Sequence, residues 1–224
     1  MNDYIRLIIS DTHVGSMYSQ EEKLINFLKS TYFDELVLAG DIVEFLRNPS
    51  FTPFSRELFE YIHNLQDKKI VYIVGNHDVA FHAFVNTTLM NVEFKKEHVF
   101  KYYGRIYRVV HGDEYDTGLV KQEYLMQLVS FVQNAFERLF KIDLTTLYAN
   151  WKLKKRKLIR IWDIISWNKD IDVLIMGHTH VPEVLIWVDK NEKIKTYINS
   201  GDWVGNCTYV IIKDGQVRLR KYEE

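Results

Sequence analysis

Short apolar runs alternate with helical patterns through roughly the first hundred residues. Apolar residues recur with a helical period after Ser19 and Glu22, which have the spacing of a capping box. Further helical patterns cover about 54–65 and 79–90. The strand-like runs between them are rich in β-branched residues and cover residues 7–10, 35–40 and 70–75. Strands separated by helices need crossover connections, so this part of the chain predicts a buried, largely parallel sheet.

In the rest of the strand-like sequence, strands follow one another without helices between them. From Val92 to His111 one strand pattern follows another, with Gly104 at a predicted turn, and the last fifty residues continue in the same style. Asp214-Gly215 separates the final two runs and is a favoured hairpin turn. The whole pattern predicts an α/β fold, a four-layer α-β-β-α sandwich of two mixed sheets.

One segment interrupts this order. Residues from about 117 to 168 have a helical pattern that is first very apolar and then very basic. The interval between His111 and His178, which contains this segment, is about twice the interval from Asn76 to His111. The sequence therefore predicts a single domain over residues 1–224 with a helical insert at about 117–168.

Composition narrows the class of protein. The 224 residues carry a formal net charge of -1, which excludes a globally basic nucleic-acid binder but not a local basic patch. Cys207 is the only cysteine, which suits a reducing compartment. No apolar stretch approaches the roughly 20 residues that span a bilayer. These features predict a cytoplasmic protein.

Polar side chains follow the strand-like runs at the points where the strands end. The carboxyl ends of parallel strands share one edge of a sheet, where open α/β folds place their ligands. Residues at these ends can therefore converge into one site. The set consists of Asp11, His13, Asp41, Asn76, His111, His178 and His180.

The chemistry of this set indicates metal binding. Four imidazoles, two carboxylates and one amide are too many donors for a single ion, and they suit two divalent ions about 3.5–4 Å apart that share a carboxylate. Nitrogen and oxygen donors without thiolate favour Mn, Fe or Zn. Two such ions leave a net positive charge, so the site should attract a phosphorylated substrate.

In order along the chain, these residues resemble the motifs of the calcineurin-like metallophosphoesterase family. The motifs are Asp11-x-His13, Gly40-Asp41-x-x-Glu44, Gly75-Asn76-His77-Asp78, His111-Gly112-Asp113 and Gly177-His178-x-His180. The resemblance implies a dinuclear centre in which Asp41 bridges the two ions. It also implies that Asp11, His13 and His180 complete one site and that Asn76, His111 and His178 complete the other. His77 would remain unligated and face the phosphoryl group.

Within that family the chain is most similar to the enzymes that cleave UDP-2,3-diacylglucosamine in lipid A synthesis. The length, the helical insert and residues 197–204 carry this similarity. That group commonly has arginine where this chain has His77, the general residue of the superfamily. The resemblance implies hydrolysis of a nucleotide-linked lipid to UMP and 2,3-diacylglucosamine 1-phosphate.

The insert supports three interpretations. It suggests a lid that takes acyl chains on its apolar half and phosphates on Lys154, Lys155 and Arg156, and such a surface could also seat the protein on the inner membrane. Alternatively, the halves are a buried helix and a solvated face. In the third interpretation, the basic half binds nucleic acid or a soluble nucleotide. For the protein as a whole, a non-catalytic scaffold is a further alternative.

Four acidic residues close to these motifs have expected supporting roles. Glu44, Asp78 and Asp113 are expected to orient ligand histidines, with local capping as the alternative. Asp202 is expected to be a turn residue and not a ligand.

Overall fold

The structure is a computed structural model and describes residues 4–47, 49–115 and 161–223. By its internal contacts the chain divides into two compact units. The first unit is Met1–Gly112 with Ile171–Glu224, and the second is Asp113–Asp170. The predicted single domain with an insert at 117–168 stays a prediction, since most of the insert lies outside the described residues.

Strands are the main regular structure of the first unit. In chain order they are β1 Arg6–Ile9, β2 Glu35–Ala39, β3 Lys69–Ile73, β4 Thr88–Leu89, β5 Val92–Lys95, β6 Glu97–Tyr102, β7 Arg105–Val110, β8 Val173–Met176, β9 Glu183–Val188, β10 Ile194–Asn199, β11 Thr208–Lys213 and β12 Gln216–Lys221. They form a seven-stranded sheet in the order β12-β11-β1-β2-β3-β5-β4 and a five-stranded sheet in the order β6-β7-β8-β10-β9.

Both sheets are mixed, as the sequence predicts. In the larger sheet β1, β2, β3 and β5 run parallel, whereas β4, β11 and β12 pair antiparallel to their neighbours. In the smaller sheet β7, β8 and β10 are parallel and the two edge strands are antiparallel. The predicted α/β fold with two mixed sheets is therefore confirmed. The Asp214-Gly215 turn also joins β11 to β12 as expected, with positive φ at both residues.

The alternation of side chains along β1 and β2 explains the two apolar layers. Leu7 and Leu36 belong to the layer under the helices, and Ile8 and Val37 belong to the layer that contains residues of both sheets. Successive side chains of a strand point to opposite faces, so strands that are apolar throughout can fill both layers.

Two helices contribute to the first of these layers, α1 Glu21–Ser30 and α2 Pro53–Asn64. The start of α2 has the features of a capped helix, with Pro53 in the first turn and reciprocal bonds between Thr52 and Ser55. The capping box predicted from Ser19 and Glu22 is wrong. Gln20 precedes α1 without a side-chain cap, and the Ser19 hydroxyl donates to Thr12 O at 2.7 Å instead.

The pattern over residues 79–90 is helical only in its first part. A 3-10 helix covers Val79–Phe84, and the chain then enters β4, because the segment turns back to pair with β5. No helix in the described residues is long and apolar enough to cross a membrane.

The described part of the second unit is small. It contains a 3-10 helix, Asp113–Tyr115, and a helical segment over residues 161–167. The Tyr115 ring stacks on Trp167 with centroids 5.8 Å apart, and its hydroxyl accepts a hydrogen bond from Asn168 Nδ2 at 3.0 Å. These contacts fix the two described pieces of this unit to one another.

Candidate metal centre

The seven predicted metal ligands lie together where five parallel strands end. They occupy the loops after β1, β2, β3, β7 and β8, as the strand-end argument requires. Two groups have donor atoms that all lie within 4.8 Å of one another, Asp11 with His13 and His180, and Asp41 with His111 and His178.

The first group is built from the first and last of these loops. His180 Nε2 lies 3.3 Å from Asp11 Oδ1 and 3.3 Å from His13 Nε2. Asp11 is fixed in place because the backbone N–H of His178 donates to its carboxylate at 3.0 Å. Its loop is held by bonds such as Asp11 N–H to Gly40 O, also at 3.0 Å.

The second group centres on His111. Its Nε2 lies 3.1 Å from Asp41 Oδ2, 3.2 Å from Asn76 Oδ1 and 3.2 Å from His178 Nδ1. Its Nδ1 lies 3.2 Å from Ala39 O. A carbonyl can only accept, so Nδ1 carries the hydrogen and Nε2 presents its lone pair to the cluster.

These spacings fit a bound cation. Ligand atoms about 2.1 Å from one ion lie roughly 3.0–3.4 Å from each other, whether the geometry is octahedral or tetrahedral. The nitrogen–nitrogen and nitrogen–oxygen separations in both groups are 3.1–3.3 Å. Imidazole lone pairs that face each other at such distances repel unless a proton or a metal lies between them. The donor set therefore suits divalent metals.

A third group lies between the other two and consists of His13, Asp41 and His77. His77 donates its backbone N–H to Asp41 Oδ1 at 2.7 Å, while its Nε2 is 3.9 Å from Asp41 Oδ2. Asp41 thus shares one group with His13 and another with His111. This position is the one that a bridging carboxylate requires.

Backbone conformation marks the same residues. Five of the seven predicted ligands have φ between 44° and 66°, the left-handed region that non-glycine residues rarely adopt. They are Asp11, His13, Asp41, His178 and His180. Each such residue costs about 1–3 kcal/mol and persists only where its surroundings hold it, which is typical of functional sites. The strain lets short loops aim these side chains back into the cluster.

Two motif glycines allow the close approach of neighbouring loops. A Cβ on Gly40 would collide with the His111 ring, and one on Gly177 would collide with the Asp11 carboxylate. The glycines that precede Asp41 and His178 are therefore required by the packing of the cluster itself.

Glu44 connects two of the histidines. Its carboxylate lies 3.0 Å from His13 Nδ1 and 2.8 Å from His77 Nδ1. Burial alone would lower the pKa of His13, but the hydrogen bond and the charge of Glu44 raise it to about 9. Burial likewise opposes ionisation of Glu44, yet the two imidazoles hold its pKa well below the usual range. Glu44 thus orients both rings, as expected.

Asp78 has a different role from the expected one. It binds no histidine, and instead its carboxylate accepts backbone N–H groups from Asp41, Ile42, Val43 and Gly75 at 2.7–3.1 Å. Burial and the nearby Asp41 charge raise the pKa of Asp78. The residue shapes the loop that carries Asp41. The sequence spacing gives no sign of this, since three of the four amides belong to the Asp41 loop.

The predicted substrate-binding residues Lys154, Lys155 and Arg156 lie outside the described residues. His77 is placed beside the cluster with a half-buried side chain.

Comparison with known proteins decides the family. The sequence profile of the calcineurin-like phosphoesterases matches residues 6–182, most of the chain. This protein belongs to that family. As a member it is a phosphoester hydrolase, and divalent metals are the family's cofactors.

Two curated relatives of this phosphoesterase have the same name. A UDP-2,3-diacylglucosamine hydrolase of Vibrio cholerae serotype O1 is 22% identical over 92% of this chain and 93% of its own length. The corresponding protein of a second Vibrio cholerae strain has the same identity and covers 92% of both chains.

Solved structures support the fold. A metallophosphoesterase from Sphaerobacter thermophilus aligns with a TM-score of 0.51 at 17% identity, covering 99% of this chain and 89% of the other. The vacuolar protein sorting 29 protein of Cryptosporidium parvum also aligns with a TM-score of 0.51, at 14% identity and 97% and 96% coverage. At these identities the similarity shows the phosphoesterase fold alone.

Proposed function

We propose that this phosphoesterase cleaves the pyrophosphate of UDP-2,3-diacylglucosamine to UMP and 2,3-diacylglucosamine 1-phosphate with two divalent ions. The observation that supports this chemistry is the position of Asp41. A carboxylate oxygen of Asp41 lies within 4.8 Å of a ring nitrogen of His13 in one group and of His111 in another. The curated relatives named UDP-2,3-diacylglucosamine hydrolase support the substrate, since their similarity extends over nearly the whole chain.

The metal assignment follows the two groups of donors. One ion would be held by Asp11, His13, Asp41 and His180, and the other by Asp41, Asn76, His111 and His178. The donors are nitrogen and oxygen without thiolate, so Mn is the favoured metal, with Fe and Zn as alternatives. Bound divalent ions polarise the phosphoryl group and make a nucleophilic water available near neutral pH.

His77 supplies proton transfer next to this centre. Its Nδ1 faces the Glu44 carboxylate at 2.8 Å, so Nδ1 carries a hydrogen and Glu44 stabilises the protonated ring. Nε2 then holds the second proton on the side of Asp41. From there it can donate to a phosphoryl oxygen or to the leaving oxygen, and Glu44 keeps the ring from rotating away.

The helical insert at about 117–168 is proposed as the lid over the substrate, on the sequence alone. Its apolar half would hold acyl chains, and Lys154, Lys155 and Arg156 would hold the phosphates. A place at the inner face of the membrane fits such a substrate and is part of this proposal.

The test is a hydrolysis assay of the full-length protein with added Mn²⁺. UDP-2,3-diacylglucosamine, bis-p-nitrophenyl phosphate and single-stranded DNA are compared, with UMP release measured for the lipid. We expect the lipid to have the highest kcat/KM. Protein that ignores the lipid and cleaves single-stranded DNA would instead show that the nucleic-acid interpretation of the basic segment is correct.

A charge-matched pair of variants tests the insert. Changing Lys154, Lys155 and Arg156 to glutamine should lower kcat/KM for the lipid by at least about tenfold, or ~1.4 kcal/mol, and leave the small phosphodiester nearly unchanged. The control changes three exposed lysines outside the insert, Lys190, Lys193 and Lys213. Equal losses in both triple variants would assign the effect to overall charge.

A further inference from the structure

The connection between β10 and β11, residues 200–207, holds the first of the two ligand loops in the Asp11 group. Ser200 Oγ lies 2.7 Å from Ser10 Oγ, next to Asp11. The backbone N–H of Trp203 donates to Asp11 O at 3.0 Å, and the Trp203 side chain is fully buried. This connection therefore fixes the main chain of one proposed ligand.

Two asparagines hold the second ligand loop, Asn199 at the end of β10 and Asn206 in the connection that follows it. Asn199 Nδ2 donates to Gly177 O at 2.7 Å and to Thr179 Oγ1 at 2.9 Å. Asn206 Nδ2 donates to His180 O at 2.8 Å. The loops that supply Asp11 and His180 are thus fastened to one short segment, which lies beyond the family match that ends at residue 182.

Asp202 lies at the centre of this segment and is buried. Its Oδ1 accepts the backbone N–H groups of Val204, Gly205 and Asn206 at 2.7–3.0 Å, the bonding of a turn residue. Its Oδ2 accepts Asn206 Nδ2 at 2.6 Å and lies 3.7 Å from His180 Nδ1. One oxygen is therefore sufficient for the turn, and the other faces the imidazole.

The position of this second oxygen determines how His180 can act. At 3.7 Å the carboxylate is beyond hydrogen-bond distance of Nδ1, but its negative charge favours the hydrogen on that nitrogen and leaves the lone pair on Nε2. His180 Nε2 is the atom that lies 3.3 Å from Asp11 Oδ1 and 3.3 Å from His13 Nε2. Four hydrogen bonds hold the Asp202 carboxylate, so it cannot follow the ring if the ring rotates.

We propose that Asp202 is a positioning residue that sets the tautomer and orientation of His180 for metal binding. The inference rests on the proposed function in one respect, that His180 holds a metal ion. It assigns Asp202 a role beyond that of the turn residue expected from its sequence.

The test measures binding of Mn²⁺ to metal-free, full-length protein by isothermal titration calorimetry. Asp202→Asn keeps Oδ1 as an acceptor for the turn but removes the carboxylate charge. We expect it to weaken one of the two Mn²⁺ sites by about 10- to 100-fold, the usual effect of losing such a partner, and to leave the other unchanged. Thermal unfolding of the metal-free variant should remain close to that of the wild type.

Two further variants separate this role from folding of the turn. Thr208→Val removes the hydroxyl that donates to Ser200 O at 2.6 Å in the same connection, so it should lower thermal stability without changing Mn²⁺ affinity. Asp202→Ser keeps a turn acceptor without a carboxylate, and it should reproduce the weakened site if Asp202→Asn does not fold.

His180→Ala distinguishes failure of this inference from failure of the proposed function. One result is that His180→Ala loses one ion while Asp202→Asn and Asp202→Ser bind both ions as tightly as the wild type. The proposed role of Asp202 would then be wrong, and His180 would still be a metal ligand. If His180→Ala still binds two ions with wild-type affinity, His180 is not a ligand and both proposals fall.

Discussion

Two buried clusters of charged and imidazole side chains lie at opposite ends of the parallel strands, and they are built on different principles. Where β1, β2 and β3 begin, their first residues are Arg6, Glu35 and Lys69, and His98 of β6 joins them. Where the same strands end, the loops carry the proposed metal ligands. The same sheet thus supports both clusters.

The cluster at the strand starts is complete without any added ion. Glu35 Oε2 accepts Arg6 Nε at 2.6 Å, and Glu35 Oε1 lies 2.7 Å from His98 Nε2 and 3.3 Å from Lys69 Nζ. The Arg6 guanidinium also lies 4.2 Å from the centroid of the Phe100 ring. Burial raises the pKa of Glu35, but the bond from His98 and the nearby cations lower it to about 2.

The cluster at the strand ends has no such cations. Within the described ranges, Asp11, Asp41 and Glu44 form ion pairs with imidazoles alone. Five of the proposed ligands also have strained left-handed backbone. Two features therefore distinguish a structural cluster from a candidate binding cluster. In the structural cluster, the charge of Glu35 is balanced by neighbouring cations. In the candidate binding cluster, the donors lie close together on strained backbone, and a bound cation would balance their charge.

The change with the largest expected effect is Asp41→Ala. Its carboxylate would serve both ions, so we expect metal content to fall and kcat to drop by at least about 10³-fold, more than the loss of a single stabilising donor. Metal content is measured by mass spectrometry and kcat with the small phosphodiester. A variant that retained two ions and near-normal turnover would show that Asp41 does not bridge.

His77→Ala should lower kcat without lowering metal content, unlike Asp41→Ala. Both ions should stay, because His77 is proposed to hold a proton and not a metal, while kcat should fall by about 10²–10⁴-fold, the range for a positioned acid. The group of His13, Asp41 and His77 makes the control essential. A parallel loss of metal would make His77 a ligand.

Glu35→Gln tests the cluster where the parallel strands begin. Breaking this buried pair should lower the free energy of unfolding by about 3 kcal/mol, measured by urea denaturation, with kcat per folded molecule unchanged at neutral pH. Because the pKa of Glu35 is lowered from 4.5 to about 2, its contribution is present above 4.5 and is lost as the pH falls towards 2. The wild type and the variant should therefore converge in stability over that interval. A gap that persisted at low pH would contradict the assignment.

Lys69→Gln should have the smallest effect. The Lys69 side chain is 46% exposed although it lies 3.3 Å from Glu35. Water screens such a pair, so we expect a loss of less than about 1 kcal/mol in the same denaturation experiment and no change in activity. A loss as large as that of Glu35→Gln would mean that Lys69, and not Arg6 or His98, is the main partner of Glu35.

Most of the strands, the mixed character of the sheets and the grouping of the candidate site residues could be predicted from the sequence, whereas β4 lies in a segment predicted to be helical. Successive side chains of a strand point to opposite faces, so the residue order along each apolar strand fixes which side chains face each layer. The end of each parallel strand fixes which loop residues share an edge, so Asp11, Asp41 and Asn76 could be grouped without coordinates. His111 follows a strand of the other sheet, and the packing of the two sheets brings it to the same site. The motif order then indicated the family that the sequence profile confirms.

The contacts of the supporting residues could not be predicted from the sequence and are seen in the tertiary structure alone. Ser19 and Glu22 have capping spacing, but Glu21 Oε1 accepts Gly15 N–H at 2.9 Å and the helix starts without a side-chain cap. Asp78 binds the amides of the Asp41 loop, and Asp202 faces His180 from a distant turn. These partners are chosen by how closely separate loops approach each other. Left-handed residues and the glycines between them set that approach, and no local period in the sequence encodes it.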